Sequence, residues 1–216
     1  MKDRETGTMG VRAKAKATVR QRIVDAAMRL FGDEGYDAVS TIRIAEAAGV
    51  TQRTVFRYFP RKDLIVYAAA DEVSAFECAL ENALDRGDPP HRAVLAALTE
   101  TAVYCEQHRG AMRAFAALLG GSASLRSSEF DRQLRLEWLC ALALAGADAF
   151  RARAPDPELR YRMMAGSVIG MTRPVVCHWQ AGATYSLVEA IAGTAEAIAA
   201  LLDHSNACYE KLPVSR

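Results

Sequence analysis

The chain has little of what marks a membrane protein, a metalloprotein or a disulfide-bonded one. Its 5 cysteines stand far apart, at Cys78, Cys105, Cys140, Cys177 and Cys208, with no C-x-x-C pair, and histidine occurs only 4 times in 216 residues. A zinc centre gathers such ligands at short, regular spacings, so no metal site is expected. The scattered thiols read as reduced residues on helix faces, which fits a cytoplasm, with a redox-sensing role for one of them as the alternative. The longest apolar runs, 138–147 and 190–202, are broken by Gly, Asp, Thr or Glu. Neither reaches the ~20 apolar residues of a membrane-crossing helix. The first twenty residues are polar and basic and have no apolar core, so a secretory signal is not expected. Apolar–polar alternation is scarce, which argues against strands and removes the context a glycine-rich nucleotide loop needs. No nucleophile–base spacing stands out, and the sequence predicts neither an enzyme nor a bound cofactor.

What is abundant favours helices. Half the residues are hydrophobic, and Ala, Leu, Glu and Arg dominate, all good helix formers. The expectation is an all-α protein of about nine helices. The net charge of +1 conceals an uneven distribution. Residues 1–62 carry 13 Lys/Arg against 7 Asp/Glu, and the remainder 14 against 19. A basic first quarter on an acidic remainder points to a polyanion met only at the N-terminal end.

Residues 1–17 lack apolar periodicity and read as a flexible basic arm, either simply solvated or reaching DNA. A first helix over about 18–34 places Ile23, Ala27, Leu30 and Phe31 on one stripe, and Gly35 ends it. A second begins after Ser40, a good N-cap, and stops at Gly49, where the chain needs a positive φ. Thr51 caps a third, short helix. Ala45, Gly49 and Val55 meet three steric demands of a helix-turn-helix in register: a close crossing, a left-handed turn and a plug between the helices. On the third helix Val55 and Phe59 share one side, while Arg53 and Arg57, four residues apart, share the other with Gln52 and Phe56 beside them. Long donors and an aromatic on a short pinned helix are what reading base edges in a major groove requires. Longer helices are expected over about 61–86, 90–107, 109–119, 125–153, 157–181 and 185–204, with Pro174 kinking or splitting the fifth of these.

The stretch Arg22-Ile23, Ala26-Ala27, Leu30-Phe31, Gly35-Tyr36 and "TIRIAEAAGVTQRTVFRYFPRKDLI" resembles the TetR (tetracycline-repressor) family of bacterial regulators over about 18–70. The resemblance implies a helix-turn-helix domain, here 18–62, followed by a ligand-binding and dimerisation domain, 63–216, with a homodimer interface formed by the last two helices. It implies that Gln52, Arg53, Phe56 and Arg57 face bases and that Thr41, Thr54, Tyr58 and Lys62 touch phosphates. Phe56 and Tyr58 have packing as their alternative role. Many relatives carry Arg at the second residue of the second helix. Here Ile42 stands there, and Arg43 takes on a backbone contact instead. The implied partners are a pseudo-palindromic double-stranded DNA operator and an unknown small-molecule effector that releases it, with no membrane. The rival is an architectural or constitutive DNA-binding dimer without a ligand. For the effector pocket, Tyr104, Phe115 and Trp138 are the candidate apolar wall, with Arg135 and His178 as candidate polar contacts. Small residues in 165–176 and in "EAIAGTAEAIAALL" suit closely packed helices at a dimer interface or within the chain.

Overall fold

The computed structural model describes residues 3–209, with side chains over 16–200, and among them every regular element is a helix. The first, α1, spans Asp3–Glu34. The arm expected over 1–17 is therefore helical from Asp3 on. Ala13 to Ala17 alternate Ala with Lys, both strong helix formers, and no proline intervenes. The side chains before Lys16 lie outside the described residues, as does that of Cys208.

The next helices are α2, Thr41–Ala48, and α3, Gln52–Tyr58. The connecting helix expected over 61–86 is two: α4, Asp63–Ala70, and α5, Glu72–Asp85. Asp71 between them sits at φ +48°. Aspartate tolerates the left-handed region better than most residues, and its carbonyl accepts from Ala75 N at 3.1 Å, starting the next helix. After α6, Pro90–Gln107, and α7, Arg109–Gly121, the segment expected as one helix over 125–153 is again divided. Helix α8, Ala123–Ala145, and α9, Ala147–Ala152, meet at Gly146, φ +113°. Two unforeseen breaks turn nine expected helices into eleven. Helix α10, Leu159–Gln180, runs through Pro174 without splitting, and α11 covers Leu187–Tyr209.

These helices form two compact units, 1–70 with 117–128, and 71–116 with 129–216. The expected boundary at 62/63 thus falls one helix later, because α4 packs on α1 and buries Ile65 and Val66 completely. The first unit's core gathers Ile23, Ala27 and Phe31 of α1, Ile44 of α2 and Val55 of α3, all buried. Each large apolar side chain in it contributes about 1.5–3 kcal/mol. In the second unit α6 packs on α5 and α11, and α11 on α10. Alanines 83, 93, 97 and 165 lie fully buried there, small enough to let the axes approach. Glu106 of α6 caps α11, accepting from Leu187 N at 2.6 Å and from the Ser186 hydroxyl at 3.1 Å, which places a carboxylate at the positive end of the helix dipole.

Candidate nucleic-acid interface

The turn between α2 and α3 is fixed from both sides. Ser40 Oγ accepts from Arg43 N at 3.2 Å at the start of α2. At its end Gly49, φ +62°, donates to Glu46 O, and Val50 N donates to Ala45 O at 3.0 Å. This is the paired Schellman closure that satisfies carbonyls left over at a helix C-terminus. Thr51 then caps α3, its Oγ1 accepting from Thr54 N at 3.2 Å. Arg22 reaches across from α1 and donates to Ala48 O at 2.9 Å, placing a cation on the negative end of α2. Sequence reading missed Arg22, because 26 residues separate the donor from its acceptor and no local pattern joins them. Arg20, whose guanidinium lies 5.2 Å from the centre of the Phe59 ring just past α3, was missed for the same reason.

On this support the two faces of α3 separate as the helical period demands. Val55 is fully buried and Phe59 nearly so, while Gln52, Arg53, Phe56 and Arg57 stand exposed. Phe56 leaves 44% of its surface to solvent, and Ile42 on α2 leaves 53%. Two apolar side chains therefore stand out among donors, as contact with thymine methyls would require. The Arg57 guanidinium lies 5.3 Å from the centre of the half-buried Tyr58 ring. Gln52 Nε2 donates to Thr41 Oγ1 at 3.0 Å, so the first residues of α2 and α3 are tied to each other. Thr54 shares a hydroxyl–hydroxyl bond of 2.9 Å with Thr51.

Two residues expected on phosphates have partners within the protein. Arg43 pairs with Glu34 at 2.8 Å across exposed surface, a bond worth little in water and easily exchanged. Lys62 is more firmly engaged. Its Nζ donates to Tyr36 O at 2.8 Å and Val39 O at 3.0 Å and sits 4.1 Å from the centre of the Tyr36 ring. Burial pulls its pKa below the ordinary 10.5. The ammonium expected to meet DNA thus clasps the loop between α1 and α2, because two carbonyls there have no helical partner and converge beside it. The same loop is held at Asp37, whose carboxylate accepts from Ser124 Oγ at 2.6 Å and Ser122 Oγ at 3.1 Å. These hydroxyls, Ser124 foremost, hold its pKa below the usual carboxylate value. Ser122 in turn caps α8, accepting from Leu125 N at 3.1 Å.

The five residues expected around an effector do not converge on the groove that one of them lines. Phe115 is buried, 1% exposed, with the Arg132 guanidinium 5.3 Å from its ring centre. Arg132 itself bridges Glu72 and Glu129. Tyr104 stacks on His108 at 4.1 Å, and His178 on Tyr185 at 5.7 Å. Arg135 pairs with Glu77 at 2.9 Å, matching a solvated surface arginine. Trp138 alone lines an open groove of about 340 Å³, with Leu134, Glu137, Pro155 and Pro157. Of the four described thiols, Cys105 and Cys140 are buried and pushed up to about 12 by burial, whereas Cys78 and Cys177 are exposed. Among the described residues no His/Cys/Asp/Glu group could hold a metal, and no helix is long and apolar enough to cross a membrane.

Comparison with known proteins agrees with this geometry. Residues 23–69 match the family described as bacterial regulatory proteins, tetR family. The protein of Mycobacterium tuberculosis proposed to regulate transcription of mycofactocin biosynthesis, MftR, is 26% identical over 200 residues, which is 89% of this chain and 96% of that one. The HTH-type transcriptional repressor KstR of Mycolicibacterium smegmatis is 33% identical over 81 residues, 37% of this chain and 40% of its own. Among solved structures, NalD, the secondary repressor of the MexAB-OprM multidrug efflux pump in Pseudomonas aeruginosa, superposes with a TM-score of 0.58 over 83% of this chain and 96% of that one. FadR of Thermus thermophilus in complex with lauroyl-CoA superposes with a TM-score of 0.57 over 83% and 92%. Both are 20% identical to this chain, a likeness of fold. The exposed donors of a capped third helix thus lie in a segment, residues 23–69, that matches the tetR family of bacterial regulatory proteins, and the chain is similar in fold to solved regulators of that family.

Proposed function

We propose that the protein is an effector-responsive repressor. Two copies bind a pseudo-palindromic operator through α3, and a small molecule taken up by the second unit releases them; the protein acts in the cytoplasm, where the operator is. One observation carries the reading: α3 is pinned at its start, its end and its inner face, and its outer face presents Gln52, Arg53, Phe56 and Arg57 to solvent. Arg53 makes no hydrogen bond or ion pair among the described residues, so its fork remains available for a guanine edge. Thr41, Thr54, Tyr58 and, after leaving Glu34, Arg43 flank it for phosphates. KstR and NalD carry the word repressor in their names, which supports the sign of the effect.

A two-fold operator needs two recognition helices about one helical turn, ~34 Å, apart. The last two helices supply the surface for pairing. On α10 the outward residues include Gly170 and Pro174, and on α11 Ala192, Gly193 and Ala197. Such small residues let a second copy pack closely. The groove at Trp138 supplies a place for the effector.

Selection of bound duplexes from a random pool tests this reading. The enriched sequences should be inverted repeats, and Arg53→Ala should cost about 1–3 kcal/mol on the best of them while relaxing one base preference. Enrichment without a repeat, or an Arg53→Ala profile identical to the parent's, would refute it.

A further inference from the structure

The groove beside Trp138 has a chemistry that selects its occupant. Its walls are apolar: Leu134, nearly half exposed, and the rings of Pro155 and Pro157. Trp138 adds an aromatic face, and Glu137 an adjoining carboxylate. The remaining charges of the lining cancel, since Arg162 pairs with Asp156 at 3.4 Å. The cations on nearby turns are engaged as well: Arg135 and Arg153 on Glu77, and Arg160 on Glu158 at 3.0 Å. Glu137 is half-buried and makes no hydrogen bond or ion pair among the described residues. The groove thus combines an indole face, apolar walls and one uncompensated negative charge.

We infer that this groove binds an organic cation with a compact apolar body, an aromatic or alkyl ammonium, its charge set between Glu137 and the Trp138 ring. A cation over indole is attracted by the ring's negative face, and Glu137 adds the charge complement. An anion of the same shape meets Glu137 and is repelled, and a neutral analogue gains burial alone. The volume, about 340 Å³, lies at the small end of ligand sites and suits a single-ring amine. As an effector assignment the inference rests on the regulator reading above; as a binding site it stands without it.

The test uses the full-length protein off DNA and the probe benzyltrimethylammonium. Trp179 is 1% exposed, so quenching of tryptophan emission reports chiefly on Trp138, and calorimetry counts the sites. Saturable binding at one site per chain is expected, with benzoate and benzyl alcohol at least about tenfold weaker. Glu137→Gln should erase that preference, and Trp138→Leu should weaken the cation by about as much. Comparing three ligands on the unaltered protein needs no variant to fold. Equal binding of benzoate or benzyl alcohol, or no saturation by ~10 mM, would overturn the inference. So would a Leu134→Glu chain that sediments as a monomer where the parent is a dimer, since the groove would then be covered by a second copy. An operator selection without a repeat sinks the regulator reading and leaves this titration untouched, so the two fail separately.

Discussion

Replacing Lys62 with methionine separates two roles that the sequence alone runs together. Methionine keeps most of the stem's volume and removes the charge. What is lost is a pair of hydrogen bonds, 2.8 Å to Tyr36 O and 3.0 Å to Val39 O, and a contact with the Tyr36 ring. A hydrogen bond to a charged group is worth about 1.5–3 kcal/mol net. The half-buried position puts each bond at the low end, about 3 kcal/mol for the pair. The ring contact adds about 0.5–1 kcal/mol, and water admitted to the freed carbonyls returns part of the total. A loss of about 2–3 kcal/mol is expected. Urea unfolding at fixed protein concentration should show it as a lower midpoint with the slope unchanged. Operator affinity measured against salt concentration gives the second readout. A phosphate contact contributes about 0.9 to the slope of log K against log salt. Because two of the three ammonium donors are already used inside the protein, the slope of the variant should match the parent's at temperatures where both are folded. A variant as stable as the parent whose slope drops by about 0.9 would refute the reasoning and return Lys62 to the phosphates.

Gly49→Ala should destabilise by about 1–2 kcal/mol, since an added Cβ meets nothing closer than Arg22 Nη2 at 4.0 Å and the cost is that of φ +62° alone; Gly49→Asn should cost less, and equal melting of all three would refute this. Gly32→Ala, inside α1 where a Cβ has open space, should instead stabilise by about 0.5–1 kcal/mol. Arg22→Ala should cost about 1–2 kcal/mol, seen as earlier loss of helical circular dichroism on heating. The Asp37 carboxyl has its folded pKa held below the ordinary 3.8, so its contribution is present above that value and is lost as the pH falls through the lower folded one. In Asp37→Asn the fall of stability below pH ~4 should be shallower than in the parent, and parallel acid titrations would count against the bonds from Ser122 and Ser124.

What the sequence discloses here is what neighbours along the chain decide. Ser40, Gly49 and Thr51 cap and turn α2 and α3 through bonds spanning no more than five residues, and each has the residue type its position demands. The burial of Val55 and the exposure of Arg53 and Arg57 follow from a 100° step on a pinned helix. Asp71 and Gly146 were passed over because each sits in an alanine-rich run, "AAADEV" and "LAGADAF", that propensity alone continues as helix. Nothing within a few residues reveals that the chain turns left-handed there. The groove was half legible: Trp138 is visible as an aromatic on a helix, but Pro155 and Pro157, seventeen and nineteen residues further on, come to it from a loop after α9. Lys62, Arg22 and Glu106 close contacts over 23 to 82 residues, which only the folded chain supplies.

Those long-range contacts bear on how a signal could reach α3. A ligand alters operator affinity only as far as it binds two arrangements of the recognition helix with different strength. The chain passes between the two units at three places, residues 70/71, 116/117 and 128/129. Two of these flank the corner where α7 ends and α8 begins, and that corner is fastened within the first unit by Ser122 and Ser124 to Asp37 and, at 3.5 Å, by Tyr67 to Leu125 O. Asp37 belongs to the loop that Lys62 clasps and that ends in Ser40, the cap of α2. A shift of the corner is therefore resisted first at Asp37, next at the Lys62 clasp, and only then at the turn that orients α3. If the operator is released through this route, Asp37→Asn should reduce the ratio of operator affinities with and without effector while leaving the effector-free base preferences as they were, because Asp37 lies in the loop before α2 and contributes nothing to the outer face of α3. If Asp37→Asn instead changes which bases are preferred and leaves that ratio intact, the corner is a fixed support, and the signal travels through α4 and Asp71.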